Sequence, residues 1–224
     1  MNSITKEVFD MGYTAIDALF PKRQISNLEC ELFNLSVFDF QCASANLLCY
    51  SSVAGMASDP LVMDLVKSLS GTELFPVRAL VLDKTKEMNW QLPWHQDLKI
   101  AVQQKTNAAG YTNWSLEADV WHVQPPVQVL ERLITIRIHF DSCTEENGAM
   151  HIIPGSHRKG ILSSEQISKI TESVEHKTVS MKSNGIMLMR PLLLHDSPAS
   201  CSNIRRRILQ IEYGFDLNNG INWL

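Results

Sequence analysis

The chain has 224 residues, 45% hydrophobic and 20% charged, ordinary globular usage that argues against a disordered or fibrous protein and leaves room for one sizeable core. A formal net charge of −4 and an isoelectric point near 6.0 supply no basic field for a phosphate backbone, so a small-molecule partner is expected and nucleic acid is not. Five cysteines (Cys30, Cys42, Cys49, Cys143 and Cys201), odd in number and without a C-x-x-C pair, read as free thiols in a reducing, cytoplasmic setting rather than as disulfides or a thiolate zinc site.

The amino terminus interrupts its apolar residues with charge, and no stretch approaches the ~18 uninterrupted apolar residues of a membrane span. Residues 1–72 are expected to form a helical scaffold and residues 73–216 a β core, in one domain spanning 1–224. Pro21 opens a segment with Ile25, Leu28, Leu32 and Leu35 at helical spacing, and Asp59-Pro60 places an N-cap and an N1 proline before Leu61, Val62, Leu65, Val66 and Leu69, with Gly71 as the stop. Short β-branched or apolar runs follow, giving expected strands at 77–82, 94–102, 133–140, 149–153, 178–181, 186–189, 192–194 and 207–213. In the run 133–140, Ile134, Ile136, Ile138 and Phe140 alternate with Thr135, Arg137 and His139, which predicts one face on apolar matter and the other on a polar barrel interior. A helix begun by Ser163 or Ser164 and carrying Ile167 and Ile170 interrupts the strands. Residues 103–131 contain Asn107, Gly110, Asn113, Pro125 and Pro126 as breakers and Tyr111, Trp114 and Trp121 as large apolar side chains, and are expected to form a functional loop, a lid.

The sharpest chemical signal is His95-Gln96-Asp97. Residues i and i+2 of a strand project from one face, so an imidazole and a carboxylate can reach one metal ion. His195 follows the apolar run Pro191–Leu194 and is the candidate third ligand of a 2-His-1-carboxylate set, which leaves coordination positions open. Each is weak alone: a lone H-x-D is more often a surface pair, and a lone histidine after an apolar run is more often a packed rim residue. Eleven residues beyond His195 stands Arg206, whose planar guanidinium suits a carboxylate that the metal does not hold.

These motifs, together with Glu146-Asn147-Gly148-Ala149-Met150-His151-Ile152-Ile153-Pro154-Gly155-Ser156-His157 between them, resemble the phytanoyl-CoA dioxygenase family over residues 78–213. The resemblance implies a mainly β fold with flanking helices, a double-stranded β-helix or jelly roll of the cupin kind. It implies that His95, Asp97 and His195 ligate Fe(II), that Arg206 pairs with the distal carboxylate of 2-oxoglutarate, and that Ser197 assists it. Three arginines stand in a row, so Arg205 and Arg207 remain alternatives to Arg206. The implied activity is hydroxylation of a small molecule with O2, releasing succinate and CO2. The short chain argues against an acyl-CoA substrate, and retention of Asp97 argues against halogenation, which needs that position for chloride.

Two rival readings are a cupin-type metalloenzyme that does not use 2-oxoglutarate, which would not need Arg206, and a catalytically silent jelly-roll binding protein. Only three metal ligands stand out where structural sites usually have four, which disfavours the second. Substrate contacts are expected from Trp114, Trp121, His122 and Arg137, while His139, His151, His157 and His176 have structural roles as their simpler reading. The sequence favours neither a monomer nor a homodimer.

Overall fold

The computed structural model describes residues 3–34, 46–218 and 220–224, and its architecture follows from the period-two patterns of the strands. Five strands form an antiparallel sheet: β1 (Tyr13–Ile16), β2 (Phe75–Lys84), β7 (Ile134–His139), β10 (Ile186–Met189) and β12 (Arg206–Gly214), in the order β1-β10-β7-β12-β2. Ile134, Ile136 and Ile138 lie on its outer face with Val81, Leu188, Leu209 and Tyr213. Against this face pack the helices α1 (Ser3–Met11), α2 (Lys22–Asn34), α3 (Ser51–Ala57) and α4 (Pro60–Ser70), through Val8, Ile25, Leu32, Val53, Val62 and Val66 among others. Each such buried aliphatic side chain contributes roughly 1.5–3 kcal/mol of transfer free energy. The start and stop signals of α4 are real: the Asp59 side chain accepts a hydrogen bond from Leu61 N, Pro60 opens the helix, and Gly71 closes it with φ 66°.

A second, four-stranded sheet, β3 (Leu92–His95), β11 (His195–Ser197), β8 (His151–Ile152) and β9 (Lys177–Thr178), has the order β3-β11-β8-β9. Its inner face meets the inner face of the first sheet, with Ile152 and Leu193 clustered against Met187 and Met189. This is the expected jelly roll, with the polar interior: Thr135, Arg137 and His139 point into the space between the sheets. Helix α6 (Ser164–Ser173) covers the second sheet through Ile167 and Ile170, and Ser163 caps it in a reciprocal box with Gln166.

Several sequence expectations need correction. The amino-terminal stretch is not purely helical, because β1 pairs with β10 as an edge strand of the main sheet. The run 94–102 is not one strand: β3 ends at His95, and β4 (Ile100–Val102) belongs to a third sheet. The strand expected at 192–194 lies three residues later, and Leu192, Leu193 and Leu194 form a fully buried approach to it.

Residues 103–131 are not an irregular loop. They hold the hairpin β5 (Thr112–Glu117) and β6 (Val120–Gln124) and the short helix α5 (Val127–Leu130), with β4-β6-β5 as the third sheet. The hairpin turns through Ala118 and Asp119, both left-handed with φ 45° and 64°, so its two-residue turn lacks the Asn-Gly or Asp-Gly that usually announces it. Leu35 and Cys42 lie outside the described residues; the four described cysteines are free thiols. No described helix is long and apolar enough to cross a membrane.

Candidate metal centre and co-substrate pocket

His95 closes β3 and His195 opens β11, and the two are register partners with ring centroids 4.2 Å apart. Each Nδ1 donates to the carbonyl two residues earlier, His95 to Pro93 at 2.7 Å and His195 to Leu193 at 2.8 Å. A carbonyl only accepts, so each ring keeps its proton on Nδ1 and presents an Nε2 lone pair. Both Nε2 atoms face Asp97, at 3.7 Å from His95 and 3.8 Å from His195.

All three ligating atoms lie within 4.8 Å of one another, and no other such cluster exists among the described residues. The His195 Nε2 is buried without a hydrogen-bond partner, which is costly for a structural histidine and expected of a metal ligand. Burial, opposed by Asp97 and reinforced by the charges of His95 and Arg137, lowers the His195 pKa to about 4, so the ring is neutral and able to ligate at neutral pH. The donor set fits a divalent metal held on one face, with the other face open toward the half-exposed side of Asp97.

Gln96, unremarkable in the sequence, holds this arrangement. Its buried amide donates to Leu192 O at 2.7 Å and Gly160 O at 2.9 Å and accepts from Leu162 N at 2.8 Å. Together with the Asp97 N–H donating to Pro191 O at 2.9 Å, it ties the H-x-D segment to the approach of His195.

Deeper between the sheets lies a cationic pocket. Arg206 is 4% exposed, and its Nη2 donates to Ser197 Oγ at 3.3 Å. Beside it, Lys84 is 1% exposed and donates to Ser197 Oγ at 3.1 Å and to the Pro198 carbonyl. Neither cation forms an ion pair with a described carboxylate, and the Arg206 Nε is buried without a partner. Burial first, then the charge of Arg206, lowers the Lys84 pKa to about 8. Trp90 covers both, with Lys84 Nζ 4.2 Å and the Arg206 guanidinium 5.5 Å from its ring.

The neighbouring arginines point elsewhere and are neutralised. Arg205 pairs with Asp83, and Arg207 pairs with Asp141 and Glu29 at 2.7 Å each. Alternation along β12 therefore turns Arg206 alone of the three inward.

The Asn147-Gly148 pair has a physical reason to stand here. Asn147 caps its turn, and Gly148, at φ 78°, brings its Cα so close that an added Cβ would lie 2.6 Å from Pro198 O and 2.9 Å from Lys84 Nζ.

Above the pocket, Arg137 donates through Nε to Gln210 Oε1 at 2.9 Å, and Gln210 in turn donates to Glu212 at 3.2 Å. From there a cleft of about 1090 Å³ opens past Asp97 to the surface, lined by Arg78, His122, Gln210 and Glu212 on its polar side and by Leu80 and Trp90 on its apolar side.

Of the four expected substrate contacts, His122 lines this cleft, whereas Arg137 is not among the lining residues and reaches it only through its hydrogen bond to Gln210. Trp114 and Trp121 are not among the lining residues, which corrects the lid reading: their rings pack edge to face at 6.3 Å against the apolar cluster of the third sheet. On β6, Trp121 and His122 necessarily face opposite sides. His151 and His176 sit on the far side of the second sheet, His151 against Asp196 at 3.0 Å, and His157 bonds the Phe9 carbonyl at 3.1 Å. His139 is buried between the sheets, and burial with the charges of Arg206 and Arg137 lowers its pKa to about 3. Lys84, Arg78, Gln96 and Glu212 escaped the sequence reading; the only signal for Lys84 and Arg78 was their parity on β2, since both fall on its inner face.

No curated protein sequence matches the chain. Among solved structures, AviO1 from Streptomyces viridochromogenes Tue57 superposes with a TM-score of 0.69 at 15% identity, over 98% of this chain and 96% of its own. SnoK, a non-heme alpha-ketoglutarate-dependent carbocyclase from nogalamycin biosynthesis, gives 0.71 at 12% identity, over 96% and 83%. EctD from S. alaskensis with bound Fe gives 0.73 at 16% identity, over 96% and 76%. The sequence profile of the phytanoyl-CoA dioxygenase family (PhyH) matches residues 47–208, most of the chain and every residue of the metal cluster and cationic pocket, and the chain belongs to that family.

Proposed function

We propose that the chain is an Fe(II)- and 2-oxoglutarate-dependent oxygenase that hydroxylates a small molecule bound in the cleft. The observation that carries this reading is the pairing of an open three-ligand cluster with a buried cationic pocket that lacks a carboxylate of its own. A metal alone would not call for Arg206 and Lys84, and a structural metal would be enclosed by a fourth ligand. EctD, of the same fold, has been crystallised with 2-oxoglutarate and 5-hydroxyectoine, a hydroxylated compound, which supports hydroxylation here.

His95, Asp97 and His195 would hold the iron, and Fe(II) with 2-oxoglutarate supplies oxidation by O2 coupled to release of succinate and CO2. The chain's own residues do the rest. The Arg206 guanidinium takes the distal carboxylate as a fork, and Lys84 adds a second charge-assisted bond. Ser197, accepting from both cations, fixes their separation. Trp90 roofs the pocket and keeps water from the pair, which strengthens each bond in the low local dielectric.

An anaerobic titration of the Fe(II)-loaded protein with 2-oxoglutarate tests the proposal. A weak visible metal-to-ligand charge-transfer band is expected, with Arg206→Ala weakening the titration by about 100-fold and Arg205→Ala by less than about threefold, since only the first removes a buried fork. No band in the unaltered protein would refute the reading, and equal effects of the two substitutions would refute the assignment of Arg206. Turnover in 18O2 with a substrate in hand then separates hydroxylation, which places the label in the product, from epimerisation or ring closure, which does not.

A further inference from the structure

The inner face of the main sheet carries its charges in rungs, and their balance changes along it. At the deep end Lys84 and Arg206 face each other across β2 and β12 with no described carboxylate between them. Six residues further along β12, Glu212 is the register partner of Arg78. Both side chains line the cleft; burial raises the Glu212 pKa, and the charge of Arg78 is the first influence opposing it.

Of the other charges here, Asp97 and Arg137 act on Glu212 with opposite signs, and the remaining groups at this end add no net charge. His122 is 6% exposed and held neutral, its pKa lowered by burial and then by Arg78. Lys99 is matched by Glu117 at 3.4 Å, and Ser115 bonds both. Asp83 is taken by Arg205, and Glu87 stands at the exposed rim where solvent screens it. What remains is a set of donors and acceptors, Arg78, His122, Gln210 and Glu212, facing an apolar wall of Leu80 and Trp90.

We propose that Arg78 and Glu212 are a specificity-determining pair that keeps the substrate end of the cleft electrically neutral. The substrate class is then an uncharged, hydrogen-bonding molecule, such as an alcohol or amide, with an apolar body. A carboxylic acid would meet Glu212 and an amine would meet Arg78, each at the cost of a desolvated like charge. A cleft of about 1090 Å³ accommodates a body well beyond the size of 2-oxoglutarate. The inference rests on the oxygenase reading for the word substrate, but the charge preference is measurable without turnover.

The test uses protein loaded with Zn(II) and saturated with 2-oxoglutarate, and three probes that share one body: 2-phenylethanol, phenylacetate and 2-phenylethylammonium. Ligand-detected NMR gives their affinities. The unaltered protein is expected to bind the alcohol at least about fivefold more tightly than either ion. Glu212→Gln shifts the preference to phenylacetate, Arg78→Met shifts it to 2-phenylethylammonium, and the double variant restores the alcohol. Thermal melts confirm that each variant is folded, and the double variant keeps the test decisive if one single variant is not.

Preference for a charged probe by the unaltered protein, no binding of any probe up to about 10 mM, or variants that leave the order unchanged would each overturn the inference. Failure of 2-oxoglutarate to bind at all would instead count against the oxygenase reading.

Discussion

His95 and His195 are Cα partners across the ladder between β3 and β11, and each ring is fixed by a hydrogen bond to the carbonyl two residues before it. Two neighbouring strands therefore deliver two imidazoles in one tautomer to one point, and Asp97, just past the end of β3, arrives from the same chain segment as His95. Removing either ring opens the set to two ligands. His195→Ala is expected to weaken Fe(II) binding by at least about 100-fold in an anaerobic equilibrium titration, with the fold retained because its Nε2 makes no hydrogen bond within the protein. Retention of full metal affinity would show that the cluster is not the metal site.

Lys84 supplies a pH signature. Its folded pKa of about 8 lies below the ordinary 10.5, so in the free protein the ammonium is lost as pH rises through about 8. The affinity for 2-oxoglutarate is expected to fall over that range, because the second charge-assisted bond needs the protonated amine. Lys84→Met binds about tenfold more weakly at neutral pH and shows no such fall. The linkage has the matching sign: burying the charged amine destabilises the free fold below pH 8, and stability rises with pH between about 8 and 10.5, where the unfolded chain binds more protons. Calorimetric titrations across pH 7 to 9.5 on both proteins check the first part and chemical unfolding the second.

Gly148 tests the link between the Asn-Gly motif and the pocket. Gly148→Ala adds a methyl group against Lys84 and Pro198, and is expected to lower 2-oxoglutarate affinity about tenfold as well as costing about 1 kcal/mol of backbone strain. Gly220→Ala is the matched control, since Gly220 has φ 69° but open space around its Cα. It should show the strain alone. Equal 2-oxoglutarate affinities in the two variants would separate the motif from the pocket.

Gln96→Leu leaves the Leu162 N–H and two carbonyls without their buried partner. A loss of about 2–3 kcal/mol in urea unfolding is expected, with weaker Fe(II) binding because the segments of Asp97 and His195 are no longer tied together. Gln96→Glu, which keeps the acceptor, should restore part of the stability. A silent Gln96→Leu would mean that the strands alone set the ligand geometry.

The legible parts of this protein were those where one residue's chemistry speaks for itself or a period repeats. Asp59-Pro60, Ser163 and the alternation of Ile134, Ile136 and Ile138 marked elements that are present. The hairpin of β5 and β6 stayed hidden because Ala118 and Asp119 make its turn without glycine, and because Asn113 and Pro125 read as breakers. The choice among Arg205, Arg206 and Arg207 could be made only by spacing until the pairing of β12 showed which one turns inward. Arg78 and Glu212 are 134 residues apart in the sequence and meet only through strand register, so no local pattern announces them.

The separate apolar cluster under the third sheet, with Trp114 and Trp121 packed on Leu130, Leu133, Leu192, Leu217 and Ile221, makes the hairpin a jaw on one side of the cleft. Its packing does not draw on the His95, Asp97 and His195 cluster or on Lys84 and Arg206. Natural selection can therefore re-cut this jaw for a new guest, lengthening the turn or exchanging His122, while the histidine cluster and cationic pocket beneath it stay untouched.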